Sequence, residues 1–309
     1  MFPIAPRPFA NIKCRSKKAE KTNQAVLKAL ILKLRYLLTT CPQTLSAHPS
    51  VVDGQEQTQP YKCRFCSTLT SLPCQHCLKD IILEASKAHQ QIAADATLVK
   101  AIPLLDKDPR LDLSLVIGMS LLKIAGLPSQ TSDVAPPPLS TVDTKLFLQA
   151  VLLLDTQLKE TPKDNGLRVI LVRLYLLLGC ASYALQLWAP LEIKRTIQDS
   201  LSPLFFDRIS TLSPGLFQGI RPLMEPLRSY YNHSLRDSCP VRIWDAFSSG
   251  SYNSIVSLAD YDNKLRKSCT LMMTLVEERH ATRAFGGKLD ADIDELALTG
   301  KPCFRIPPT

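Results

Sequence analysis

Asn165–Ser210 reads NGLRVILVRLYLLLGCASYALQLWAPLEIKRTIQDSLSPLFFDRIS, and this stretch decides the fold. Leu167, Ile170, Leu171, Leu174, Tyr175 and Leu178 recur at three- and four-residue steps, which places them on one face of a helix. Gly179 interrupts the run. Ala181, Ala184, Leu187, Trp188 and Leu191 then form a second apolar series with Pro190 near its end. The pattern predicts two short helices folded back on each other. One hairpin cannot bury both of its apolar faces, so it needs neighbours of the same kind, which is the logic of a helical-repeat array.

The same residues have a rival reading. The uncharged run from Leu174 to Leu191 reaches the length at which a membrane span has to be weighed. Gly179, Ser182, Gln186 and Pro190 dilute it, Arg168 and Arg173 precede it, and Glu192 and Lys194 close it at once. Such a segment is marginal on an insertion scale, so the array is preferred and no membrane association is expected.

With 309 residues the chain can bury a sizeable core in one long domain or two. Only 11 residues are glycine and the leucine-rich runs outlast ordinary strands, so the expected class is all-α. A formal charge of +9 favours acidic partners or nucleic acid, but 28 acidic residues interleave with the basic ones and a solvated surface explains the excess equally well. Pro3, Pro6 and Arg7 interrupt the first apolar stretch and lysines follow it, so no secretory signal is visible and a reducing, cytoplasmic location is expected. The ten cysteines are then not expected to form structural disulfides.

Residues 1–21 end in KCRSKKAEK and are expected to be a disordered basic segment. Thr22–Thr40 predicts an amphipathic helix, with Val26, Leu27, Leu30, Ile31, Leu34, Leu37 and Leu38 on its apolar face and Lys28, Lys33 and Arg35 largely opposite. The polar, proline-bearing segment between Cys41 and Tyr61 suggests a linker or exposed loop. In the cysteine-rich loop 61–80, Cys63, Cys66, Cys74 and Cys77 form C-x2-C-x7-C-x2-C. Two such pairs can each turn both sulfurs toward one ion, and four thiolates make the closed tetrahedral shell of structural zinc. His76 is an alternative ligand if one cysteine is not used. The competing reading is a set of free cysteines whose second pair opens a helix at Leu78; a redox dithiol lacks its βαβ context. His89 has no second ligand at helical spacing and is expected to pack or face solvent.

Leu111–Leu127 predicts a further helix ending at Gly126 and Pro128. The triple proline of 128–141 favours an extended spacer, and the chain is divided there into an N-terminal helical region, 22–127, and a helical-repeat domain, 142–285. Asp143 can cap a helix that leads into the opening hairpin. Helix is expected again over Glu192–Leu212, broken at Pro203, and over Pro222–Tyr231, which Pro226 can restrict to its second half. Val241, Ile243, Trp244, Ala246 and Phe247, the turn SSGS, and Tyr252, Ile255, Val256 and Leu258 repeat the plan of the first hairpin. Asp260–Arg283 extends the series, and residues 286–309 form a polar tail.

No G-x-x-x-x-G-K-[ST] run and no strand followed by G-x-G-x-x-G is present, so the usual phosphate cradles are missing. His48, His76, His89, His233 and His280 are scattered, without H-E-x-x-H or a nucleophile elbow. Glu277 and Glu278 stand beside arginines and suggest a solvated, salt-bridged helix face. No catalytic residue and no catalytic cofactor is expected, which leaves function to surfaces.

LVRLYLLLG, then LEIKRTIQDSL, then DRISTL resembles the non-catalytic subunit of the N-terminal acetyltransferase B complex, NatB, in its fungal form. The matching positions are Leu174, Tyr175, Leu178 and Gly179, then Leu191, Glu192 and Lys194, then Asp199, Ser200 and Leu201. Tyr231, Trp244, Ala246, Tyr252, Ile255, Leu265 and the run VEERHATR continue it, so that it covers roughly Leu111 to Arg283. The resemblance implies a tetratricopeptide-like superhelix, an α-solenoid, that wraps and stabilises a separate catalytic subunit. That partner would hold acetyl-CoA and act at the ribosome on nascent chains beginning with methionine and an acidic or amide residue. No R/Q-x-x-G-x-G/A acetyl-CoA loop occurs in this chain, in keeping with an auxiliary role. Members of the family are generally longer, so a short or partial member is expected. The alternative is a zinc-stabilised helical adaptor that contacts RNA or the ribosome through the cysteine cluster and the basic N-terminal segment; its binding would fall steeply with salt.

Overall fold

A computed structural model describes residues 10–40, 61–63, 65–67, 69–70, 73–100, 102, 108–127, 141–194, 196–218 and 223–285. Apart from one pair of two-residue strands, the regular structure among these residues is helical, and the chain is all-α. It divides into two compact units, Met1–Leu167 and Arg168–Thr309. Among the described residues, no helix is long and apolar enough to cross a membrane.

The first unit is centred on α4, Pro109–Ile124, which buries residues all round its circumference: Leu111, Leu113, Ser114, Val116, Ile117 and Gly118 among them. A helix enclosed on all sides shows little amphipathic bias, and its neighbours explain why. α1, Ala10–Thr40, and α2, Gln75–Ala94, share a core with it through Ala29, Leu32 and Tyr36, and through Leu78, Ile81, Ala85, Ala88 and Ile92. α5, Thr144–Glu160, approaches so closely that a Cβ on Gly118 would stand 2.9 Å from the Leu154 side chain. Caps fix the helix starts: Asp108 accepts from the Arg110 amide at 2.8 Å and Asp143 from the Lys145 amide at 2.9 Å. The short α3, Ala96–Val99, begins at Asp95, whose carboxylate accepts from the Thr97 hydroxyl and amide and is thereby drawn down to about 2.

Three expectations change in this unit. Helix α1 begins at Ala10, inside the segment expected to be disordered. Its buried face is not the leucine face: Leu27, Leu30, Ile31, Leu34, Leu37 and Leu38 are 45–59% exposed, and α1 packs through Ala29, Leu32, Tyr36 and Thr39. The small side chains let α1 sit close, while the basic residues expected to face solvent flank the contact, Lys33 pairing with Asp112 at 3.2 Å and Arg35 with Glu84 at 2.8 Å. The division between units falls at 167/168, not in the proline-rich 128–141. The helices on either side of that stretch, α4 and α5, pack together and are tied by the Asp143 amide donating to the Ala125 carbonyl at 2.9 Å. Residues 41–60, 128–140 and 286–309, expected as linkers and tail, lie outside the described residues.

The second unit opens within α6, Asn165–Leu177, which is followed by α7, Ala181–Trp188, after a turn at Gly179. Val172 and Leu176 of α6 and Ala181, Ala184 and Trp188 of α7 lie in one core. Three short helices follow, α8 Thr196–Leu201, α9 Pro203–Phe206 and α10 Ile209–Leu212. Phe205 stacks on Trp188 with ring centroids 5.5 Å apart, and Phe206 meets both edge-on. α11, Glu225–Asn232, carries Pro226 in its first turn, where the missing N–H is tolerated, and runs through a π-helical segment, His233–Ser238, into α12, Cys239–Ser248. After Gly250 come α13, Tyr252–Arg266, and α14, Cys269–Ala284, separated at Ser268, whose hydroxyl caps α14. Leu265, Leu271 and Leu275 join the common core, while Met272 and Val276 are exposed.

Candidate metal centre

The segment that carries Cys63, Cys66, Cys74 and Cys77 is a hairpin leading into α2. β1, Tyr61–Lys62, pairs antiparallel with β2, Leu69–Thr70, Tyr61 opposite Thr70 and Lys62 opposite Leu69. Between them Ser67 adopts φ +61°, and its amide donates to the Cys63 carbonyl at 2.8 Å, closing a turn that aims the first cysteine pair one way. The second pair belongs to the first turn of α2, with Cys74 at its N-cap. The four Sγ atoms lie within 4.8 Å of one another, with Cys63 to Cys77 at 3.7 Å and Cys66 to Cys74 at 3.5 Å. Cys63, Cys74 and Cys77 are buried and Cys66 is partly so. The spacing in sequence thus becomes a group able to hold a metal ion.

Burial pushes the Cys74 thiol up, and the Cys77 amide at its sulfur draws it partly back. Cys77 is pushed far up, first by burial and then by the thiols around it. Four thiols this close cannot all ionise alone; a cation among them removes the conflict. His76, the alternative ligand, is exposed and pairs with Asp80 across one turn at 3.3 Å, outside the sulfur cluster. His89 packs instead of ligating, with Nε2 3.4 Å from the Gln157 Oε1 that also accepts from Ser114.

In the second unit, residues singled out by pattern turn out to bind the fold together. Asp199 accepts from the Tyr231 hydroxyl at 2.6 Å and from the Ser268 hydroxyl, while its carbonyl accepts from the Thr270 hydroxyl at 2.6 Å. One residue of α8 therefore joins α11 to α14. Burial, then the adjacent Asp199 carboxylate, raise the Tyr231 phenol well above its ordinary value. Glu277 is a correction: it lies 5% exposed, not on a solvated face, and accepts from the Ser210 amide at 2.7 Å, satisfying an orphan donor at the start of α10. Nothing in its acidic, arginine-flanked neighbourhood signals this, because the partner is a backbone amide 67 residues away. Glu192 and Lys194 remain at the surface.

Beyond the cysteines, the described residues include apolar faces open to a partner. The leucine face of α1 is one. Another lies on α12 and α13, where Val241, Trp244, Phe247, Tyr252 and Val256 are all more than half exposed and Trp244 stacks on Phe247.

A family model described as the N-acetyltransferase B complex (NatB) non catalytic subunit matches residues 10–302. No curated protein and no solved structure matches the chain.

Proposed function

The chain belongs to the family of non-catalytic NatB subunits, and on that premise we propose that it is the scaffold on which a separate acetyltransferase subunit is held and stabilised. Its part in N-terminal acetylation is auxiliary, and it is not itself the catalytic enzyme. The observation that carries the proposal is a match that runs through both compact units rather than through one hairpin. Paired helices with exposed apolar faces are the kind of surface that helical scaffolds offer a partner, which supports the same reading.

In this reading the catalytic partner holds acetyl-CoA and modifies N termini in which methionine is followed by an acidic or amide residue. It works in the cytoplasm on chains emerging from the ribosome, and any contact with ribosomal RNA is made through the complex. The four cysteines form a structural metal centre, with zinc as its ion, and take no part in acetyl transfer.

The test is recovery of the complex from cells. A tagged full-length chain is expected to co-purify an acetyltransferase subunit, and its deletion is expected to lower acetylation at methionine-acidic and methionine-amide N termini. Co-purification of no acetyltransferase, with those N termini still fully acetylated in the deletion, would overturn the proposal.

A further inference from the structure

We infer that the ion is a single zinc bound by Cys63, Cys66, Cys74 and Cys77, and that it fastens the 61–70 hairpin to the first turn of α2. The inference rests on reading the cluster as a structural metal centre and adds what the ion does for the fold.

Size selects one ion. Zinc–sulfur bonds of about 2.3 Å directed to the corners of a tetrahedron set sulfurs about 3.8 Å apart. The pairs at 3.5 and 3.7 Å, with all four sulfurs inside 4.8 Å, match that spacing and leave no space for a multi-iron cluster. Four soft thiolates in a closed shell suit zinc, which also stands above ferrous iron in affinity for such sites. On binding, each thiol gives its proton to solvent as its sulfur joins the metal.

The hairpin's own packing supplies the reason an ion is needed. Strands of two residues cannot stand alone in water. The buried cluster under them consists, among the described residues, of Cys63, Cys74 and Cys77 with Cys66 against it. Among the described residues sulfur is the whole of that core, and four thiols by themselves bury too little to order the segment. The N-terminus of α2 lacks a negative charge in the same place: its N-cap is the neutral thiol of Cys74 and its first turn has no acidic residue. Zinc with four thiolates carries a net charge of minus two, and it would sit where the helix dipole favours negative charge. Leu78 and Ile81, directly after the last ligand, enter the core shared with α1 and α4, so the clamp sets the start of the helix that this core depends on.

The experiment uses the purified full-length chain. Metal analysis is expected to find a single equivalent of zinc, and cobalt exchanged into the site is expected to give the visible bands of a tetrahedral tetrathiolate. Hydrogen exchange after chelation is expected to accelerate in 61–81 and to leave α12–α13 unchanged. Cys66→Ser, at the most accessible ligand, should abolish stoichiometric zinc retention. Iron in place of zinc would overturn the identity of the ion while sparing the metal centre. A metal-free chain with all four thiols reactive and exchange in 61–81 already slow would overturn the metal centre itself. Zinc present with exchange unaltered by chelation would overturn the clamp. Co-purification of the acetyltransferase, scored on the same preparation, reports separately on the scaffold.

Discussion

α6 and α7 turn at Gly179, α12 and α13 at Gly250, and the two turns are bonded alike. Gly179 adopts φ +74° and donates to the Leu176 carbonyl while Cys180 donates to that of Tyr175; Gly250 adopts φ +72° and donates to Phe247 while Ser251 donates to Ala246. This is the Schellman arrangement, with glycine in the left-handed position and a new helix starting two residues later. The tryptophans of the two hairpins nevertheless part company. Trp188 is 9% exposed among Phe205 and Phe206, whereas Trp244 is 56% exposed and has Phe247 beside it. The turn is written locally, in one residue and its backbone bonds. Burial depends on what else arrives: the short helices α8–α10 cover the first hairpin, and no described element covers the outer face of the second.

Removing each tryptophan should separate the hairpins most sharply. Trp188→Ala should cost about 3–5 kcal/mol, the range for large aromatic truncations in a core. Trp244→Ala should stay within about 0.5 kcal/mol, as surface substitutions do. Urea unfolding of the two variants of the full chain measures both, and equal losses would break the comparison. The same contrast exists within one helix of the first unit. Leu32→Ala, on the packed face of α1, should cost about 2–5 kcal/mol. Leu34→Ala, on the leucine face, should stay within about 0.5 kcal/mol, and thermal melts of the pair would show it.

A polar contrast comes next in size. Tyr231→Phe takes a donor from the part-buried Asp199 and should cost about 1–3 kcal/mol, the range for leaving a buried acceptor without one of its partners. Ser268 still donates to the same carboxylate, which holds the loss below that of the aromatic truncation. Tyr252→Phe on the exposed second hairpin should be neutral. Calorimetry on the two hydroxyl deletions decides whether the Asp199 hub is confined to the covered side of the unit.

Features that one segment determines were legible in the sequence. The C-x2-C-x7-C-x2-C spacing anticipates the sulfur cluster because short loops constrain their own geometry, and the glycine breaks anticipate both hairpin turns because only the left-handed backbone shape is at stake. The buried side of α1 was not legible. Apolar richness marks Leu27, Ile31 and Leu34, but Ala29 and Thr39 allow the closer approach to α2 and α4, and Lys33 and Arg35 have acids waiting on those helices. Glu277 was hidden for a related reason, since its partner amide comes from a helix remote in sequence. The 128–141 prolines do interrupt helix in the pattern, yet a break in secondary structure is not a break in packing, and α4 and α5 share a unit across it.

The smallest effect tests the shared half of the comparison. A Cβ at Gly179 or at Gly250 meets nothing within 4 Å, so substitution there carries no clash, and any cost comes from the backbone alone. An L-residue held in the left-handed region loses about 1–2 kcal/mol. Gly179→Ala and Gly250→Ala should therefore destabilise by about the same amount, although one turn precedes a buried helix and the other an exposed one. Asn at either position should recover part of the loss, because its side chain tolerates that conformation better. Urea unfolding of the full chain, followed by circular dichroism, compares all four variants with the parent chain. A Gly179→Ala penalty several times that of Gly250→Ala would mean that the turn is strained by the core packed against it, and the two hairpins would then differ in their turns as well as in their burial.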